Sequence, residues 1–312
     1  MDFFPNVIES CLMNELFAVD PSVCKNIKDL KFLMSSFGPY AGRYLANYPT
    51  DWIRLVENQY ESTGQLEAEK AKTILRRAKE NLKVVTRGGL LWSVDKNWIQ
   101  NIFDLVKSDA NLFSSIIGRE NIPPFITQID DLELPPTADE SVEGIDSEYI
   151  RVCKILLFYS PEIILVDPYL NPVKRQYKSV LTGLFKIAAK GQCQRIVIWV
   201  RASEIFRNAD QTTVLLDIKE ALQKIVNQAE LKPGREVEMI FVEDGSCKNK
   251  MHGRYLLSIK GGVRLDQGFQ QLPEGRRVDV GPVGMSTHDD LLKIYLESEH
   301  DMRIIQRFTV KA

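Results

Sequence analysis

Residues 163–169 read Ile-Ile-Leu-Val-Asp-Pro-Tyr. Four apolar residues run without alternation into a turn. A strand of this kind has no solvated face, so it belongs in a sheet covered on both sides. Residues 195–201, RIVIWVR, repeat the pattern, and Val237 to Val242 supply a third such strand. The segments around them carry helical spacing. Tyr149 to Phe158 places Ile150, Cys153, Leu156 and Leu157 on one side, and Pro172 to Lys190 and Gln211 to Leu231 follow between the strands. Downstream, short strands succeed one another at Tyr255 to Ile259 and Val263 to Leu265. A helix at Thr287 to Ser298 and a strand at Met302 to Val310 complete the chain. Alternating strands and helices followed by a run of strands predict an α/β fold with a mixed sheet.

Residues 1–125 read differently, as a mainly helical domain. Val7, Cys11, Leu12 and Leu16 fall at helical spacing, and Ile27, Leu30, Leu33 and Met34 continue it. Thr50 or Asp51 can cap a helix that starts at Trp52. Residues 66–82, LEAEKAKTILRRAKENL, form the strongest helical segment, with a mixed-charge face. Gly88-Gly89 punctuates the chain, and Ile99, Ile102, Phe103 and Val106 resume the helical period. Trp92 and Trp98 read as core aromatics, because no basic stripe interleaves them. Prolines and acids then accumulate, so residues 126–147 read as a linker, with the boundary near 140 and the α/β domain at 148–312.

Composition narrows the function. The chain has 312 residues, 44% of them apolar, and a formal net charge of −2. A buried core is feasible, and no global basic field exists. Nucleic acid or an anionic membrane would have to be met by a local patch. The five cysteines are scattered and odd in number, and there are three histidines, so neither a disulfide framework nor a zinc cluster is expected. No cofactor is expected. The start, MDFFPN, lacks a basic region before an apolar core. No apolar run approaches the roughly 18 residues that a membrane helix needs. These features predict a soluble cytoplasmic protein.

The chemistry concentrates in residues 246–269, SCKNKMHGRYLLSIKGGVRLDQGF. On an extended strand, positions i and i+2 share a face, so His252 and Arg254 would project together with Gly253 between them. An imidazole beside a fixed cation suits a phosphate oxyanion. Lys248 and Lys250 add a local basic cluster, and Gly268 closes the turn after Asp266. Asp167 and Tyr169, at the carboxyl end of an apolar strand, are candidates for lining the same cleft. For Arg254 an ion pair with Asp266 or Asp279 is the structural alternative to phosphate binding. His288 reads as part of a helix cap and His300 as a surface residue.

His252-Gly253-Arg254, Gly261-Gly262, Asp266-Gln267-Gly268 and the strand 164–169 together resemble one unit of the phospholipase D superfamily, over roughly residues 150–310. The nearer likeness is to its H-x-R subgroup, which is similar to the phospholipid-binding carboxy-terminal domain of MIT-domain proteins and to prokaryotic relatives in defence contexts. The resemblance implies a phospholipase D-like α/β sandwich. It also implies a metal-independent phosphodiesterase or nuclease, in which one histidine attacks phosphorus and a second protonates the leaving oxygen. His252, Arg254 and Asp266 are then the catalytic candidates, and Lys248, Lys250, Arg254 and Gly268 the phosphate-binding ones. Three departures stand out. Arg254 replaces the family's lysine, Ile259 occupies the expected position of its acid, and the chain carries no second H-x-K or H-x-R. Catalysis would therefore need a homodimer that pairs two copies of His252. The alternatives are a non-catalytic domain binding nucleic acid or phospholipid headgroups, and an interaction scaffold whose helical amino-terminal half docks a protein partner.

Overall fold

The computed structural model describes residues 13–86, 90–109, 112–119, 122, 126–207, 210–245, 247–248 and 250–312. The chain divides into two compact units, 1–138 and 139–312. The expected α/β class with a mixed sheet holds, with one addition: the first unit also contains a sheet.

In the first unit, β1 (Glu15–Val19), α1 (Ile27–Ser36), β2 (Arg43–Ala46), α2 (Trp52–Asn58), α3 (Gln65–Glu80), β3 (Val84–Val85), α4 (Trp98–Ser108), β4 (Ser115–Gly118) and β5 (Thr127–Gln128) follow one another. Helical residues outnumber strand residues. Even so, the helices are arranged about a parallel sheet of order β3-β2-β1-β4-β5, which the sequence reading missed. Leu16, read at helical spacing, lies in the central strand; Val7, Cys11 and Leu12 lie outside the described residues. The error has a physical cause. Phe17, Ala18 and Val19 are fully buried. A short apolar run buried on both faces shows no alternation, so periodicity cannot separate it from a helix. Where local chemistry was stronger, the helices fall as expected. α2 starts at Trp52 as expected, although the Asp51 side chain makes no cap hydrogen bond, and Asn97 and Gln100 form a reciprocal capping box at the start of α4. The carboxyl end of β1 is closed over: Trp52 is fully buried and its indole N–H donates to the Val19 carbonyl at 2.7 Å.

The second unit comprises β6 (Glu140–Glu143), α5 (Asp146–Tyr159), β7 (Glu162–Val166), α6 (Arg175–Lys190), β8 (Arg195–Arg201), α7 (Ala202–Phe206), α8 (Gln211–Gln228), β9 (Glu236–Glu243), β10 (Tyr255–Ser258), β11 (Gly261–Leu265), β12 (Arg277–Pro282), α9 (Met285–Tyr295) and β13 (Arg303–Lys311). Its strands form one mixed sheet of order β13-β9-β8-β7-β10-β11-β12-β6. β7, β8 and β9 run parallel, and the remaining pairs are antiparallel. Residues 126–147, expected as a linker, contribute strands instead: β6 is an edge strand of this sheet, paired with β12. Ile164, Val166, Val197, Trp199, Ile240 and Val242 build one face of the core with Met251, Leu257 and Tyr295. α5 and α6 pack against each other, as do α6 and α8.

Two histidine expectations change. His288 is fully buried in the first turn of α9, with Nε2 2.8 Å from the Ser258 carbonyl. His300 is not a surface residue. Its ring meets Trp199 edge-on at 5.4 Å, and both ring nitrogens are buried without a partner among the described residues.

Candidate phosphate-facing site

β7, β8 and β9 point the same way, so their carboxyl ends form one edge of the sheet. Asp167 follows β7, Arg201 ends β8, and Asp244 follows β9. β10 runs against β7 with Tyr255 opposite Val166, so residues 251–254 enter at that same edge. Tyr255 also faces Arg264 on β11, which brings Asp266 to Gly268 there too. Register alone thus gathers every candidate from the sequence reading except Lys248 and Lys250, which sit in the loop leading to it.

His252 and Arg254 precede β10 rather than lying within it, so simple strand alternation does not fix their directions. Their environments differ. His252 is exposed, and its imidazole has no partner among the described residues. Arg254 is held on three sides. One of its terminal nitrogens (Nη1) donates to the Asp266 carbonyl, Nε lies 3.9 Å from Asp167 Oδ1, and the guanidinium carbon sits 5.2 Å from the centre of the Tyr169 ring. The last contact is a cation–π arrangement, for which arginine is well suited. Gly253 is required by its neighbour: a Cβ there would meet the Tyr255 hydroxyl oxygen at 2.1 Å.

Asp167 organises the cluster. It is 1% exposed. One carboxylate oxygen accepts the Tyr169 N–H at 3.0 Å and the other the Phe269 N–H at 3.1 Å. Burial pushes its pKa up to about 6, against the opposing pull of the two amides and Arg254. Gly268 is the residue this carboxylate demands. Its φ is +73°, and a Cβ would fall 2.2 Å from Asp167 Oδ2.

Asp266 enters through its main chain. Its carbonyl holds Arg254 and its N–H donates to the Asp279 carbonyl at 3.0 Å, while the residue itself is exposed. The carboxylate beside Arg254 is therefore that of Asp167, not of Asp266 or Asp279. Lys248 and Lys250 are exposed, and Lys248 is anchored by its N–H, which donates to Asp301 Oδ2 at 2.8 Å.

A second ion pair, which the sequence reading missed, supports the first. Arg201 Nε and Nη2 each lie 2.9 Å from the Asp244 carboxylate. The same two side chains hold Met251 by its backbone: its N–H donates to Asp244 at 2.8 Å and its carbonyl accepts from Arg201 at 2.5 Å. Met251 directly precedes His252, so this bidentate pair fixes where the site loop meets the sheet. Burial works against the ionised Asp244, but Arg201 and the Met251 amide outweigh it and hold its pKa below the usual carboxylate range. Arg201 and Asp244 were findable by the rule that picked out Asp167, since both end apolar parallel strands.

The arrangement can bind an anion through an exposed imidazole, a braced guanidinium and nearby lysines. Among the described residues no cluster of three or more His, Cys, Asp or Glu side chains is placed to hold a metal ion, and no helix is long and apolar enough to cross a membrane.

No family model matches the chain, and no curated protein sequence matches it. Among solved structures, TrmBL2, described as an archaeal chromatin protein with a novel mode of DNA binding, aligns over 78% of this chain and 85% of its own. Identity is 11% and the TM-score 0.28.

Proposed function

We propose that the second unit is a phosphodiester-directed module whose carboxyl-edge cluster binds a phosphate group. The observation that carries this reading is the convergence of Arg254 and the Gly268 turn on the buried Asp167, with His252 entering at the same sheet edge, where α/β sheets receive ligands. Binding is favoured over turnover by the state of the groups. Arg254 is braced by Asp167 and the Asp266 carbonyl, and among the described residues no group orients the His252 ring for proton transfer. Enzymes of this kind position the imidazole with a further group.

The second reading is a metal-independent nuclease or phosphodiesterase that works as a homodimer. It is favoured by the exposed His252 imidazole, which is open to a second copy of the chain. One experiment separates the two. Purified protein is incubated with labelled DNA and RNA in EDTA, beside His252→Ala and Arg254→Ala variants. The binding reading expects uncleaved nucleic acid retained by wild type and His252→Ala but lost by Arg254→Ala. EDTA-resistant cleavage that vanishes in His252→Ala, from a dimeric protein, establishes the enzyme instead. Absence of any affinity for a phosphodiester removes both.

A further inference from the structure

α6 carries a cationic feature outside the cluster. Arg175, Lys178 and Lys186 line an open cavity of about 480 Å³. At about 100° per residue, positions 3 and 11 residues after Arg175 return to within roughly 60° and 20° of it, so the three share one stripe. None has an ion-pair partner among the described residues. Asp146 is the acid in the lining, its Oδ1 accepting from the Ser179 hydroxyl at 3.2 Å, so the three cations leave the lining with a net charge of +2. The floor is set by Gly183. A Cβ there would come within 2.6 Å of Ile150 Cδ1, so the glycine lets α5 approach α6 closely beneath the cations.

The stripe begins in the turn of α6 that abuts the site, on the face of the helix opposite to it. Tyr177, on the buried side of that turn, lies within electrostatic reach of Asp167, Arg254 and Tyr169, while Arg175 is exposed on the other side. The Gln176 carbonyl accepts from the Gln271 N–H at 2.8 Å, in the segment just after Gly268. From Arg175 the stripe runs away from the cluster for about 16 Å, at about 1.5 Å per residue. That length exceeds a single phosphate or lipid headgroup. It spans more than one phosphate of a nucleic-acid strand, even at spacings larger than the roughly 3.4 Å per nucleotide of a stacked duplex strand.

We propose that this groove is the track of a nucleic-acid strand whose phosphates follow Arg175, Lys178 and Lys186 away from the site. The proposal rests on the phosphodiester reading of the cluster and deepens it, selecting nucleic acid over phospholipid as the ligand. The three cations act as phosphate contacts without base readout, so affinity is strongly salt-dependent and tolerant of sequence.

The test uses the full chain and three probes: a labelled single-stranded oligonucleotide of about twenty nucleotides, a dinucleotide as competitor, and vesicles containing phosphatidylserine. Wild type is compared with the triple variant Arg175→Ala, Lys178→Ala, Lys186→Ala and with Arg254→Ala. The triple variant is expected to bind the oligonucleotide at least about tenfold more weakly at low salt. Its slope of log affinity against log salt should fall by about 2, from three lost contacts at about 0.7 each. Its affinity for the dinucleotide should stay at the wild-type value, while Arg254→Ala weakens both. Wild-type oligonucleotide affinity and slope in the triple variant overturn the track. So does an absence of oligonucleotide binding in wild type, or a triple variant that loses only vesicle binding. If Arg254→Ala leaves dinucleotide binding intact, the cluster reading fails, and the track is judged by the oligonucleotide data alone.

Discussion

Gly268 and Asp167 constrain each other more tightly than any other pair in the site. A Gly268→Ala methyl would overlap a carboxylate oxygen at 2.2 Å and sit at a φ of +73°, so strain and steric overlap add. The variant should lose about 3 kcal/mol in urea denaturation, against under about 0.5 for a typical surface substitution. Asp167 makes a pH prediction. Its folded pKa, about 6, lies well above the ordinary aspartate value of about 3.9. A carboxyl raised on folding binds its proton more tightly when folded, so its contribution is greatest below the unfolded pKa and is lost as pH rises through the folded one. Relative to Asp167→Asn, wild type should therefore lose up to about 3 kcal/mol of stability between about pH 4 and pH 7. A flat or rising difference, from denaturation midpoints across that range, would contradict the assigned burial. At Arg201, truncation to alanine strands a largely buried Asp244 and frees Met251. Stability should fall by about 3 kcal/mol, and phosphodiester affinity should fall with it although Arg201 lies behind the loop.

Among the elements, α4 and β1 show how much depended on local chemistry. The start of α4 is written into Asn97 and Gln100, whose side chains each accept a backbone N–H of the other residue. Asn97→Ala should cost about 1 kcal/mol, read as a lowered thermal midpoint of the first unit. β1 carries no such mark. Its residues have apolar side chains on both faces, and its strand character comes from β2 and β4 on either side. β6 is a similar case. Ser141 and Glu143 sit in an acidic, proline-flanked stretch that reads as a spacer. Pairing with β12 makes it a strand, and its one buried side chain, Val142, anchors it to the sheet's core.

At the scale of the molecule, each unit has its own sheet and its own core. A fragment of residues 139–312 should therefore fold alone, with one cooperative urea transition and, on the proposed reading, the same Arg254-dependent phosphodiester binding as the full chain. Loss of cooperativity in that fragment would show that the second core is incomplete. The sequence by itself determined most of the helices, the three apolar parallel strands and the polar residues at their carboxyl ends, because an uninterrupted apolar run that stops at polar residues implies a covered sheet. Asp167 was visible on that basis, His252 and Arg254 by their i, i+2 spacing, and Gly268 by the turn that follows Asp266. Only the tertiary structure decided which carboxylate faces Arg254, that Arg201 and Asp244 brace the loop, and that 1–138 contains a parallel sheet. Partners such as Asp167 and Arg254 are 87 residues apart in the chain. Strand order and register bring them together, and no local periodicity in the sequence encodes either.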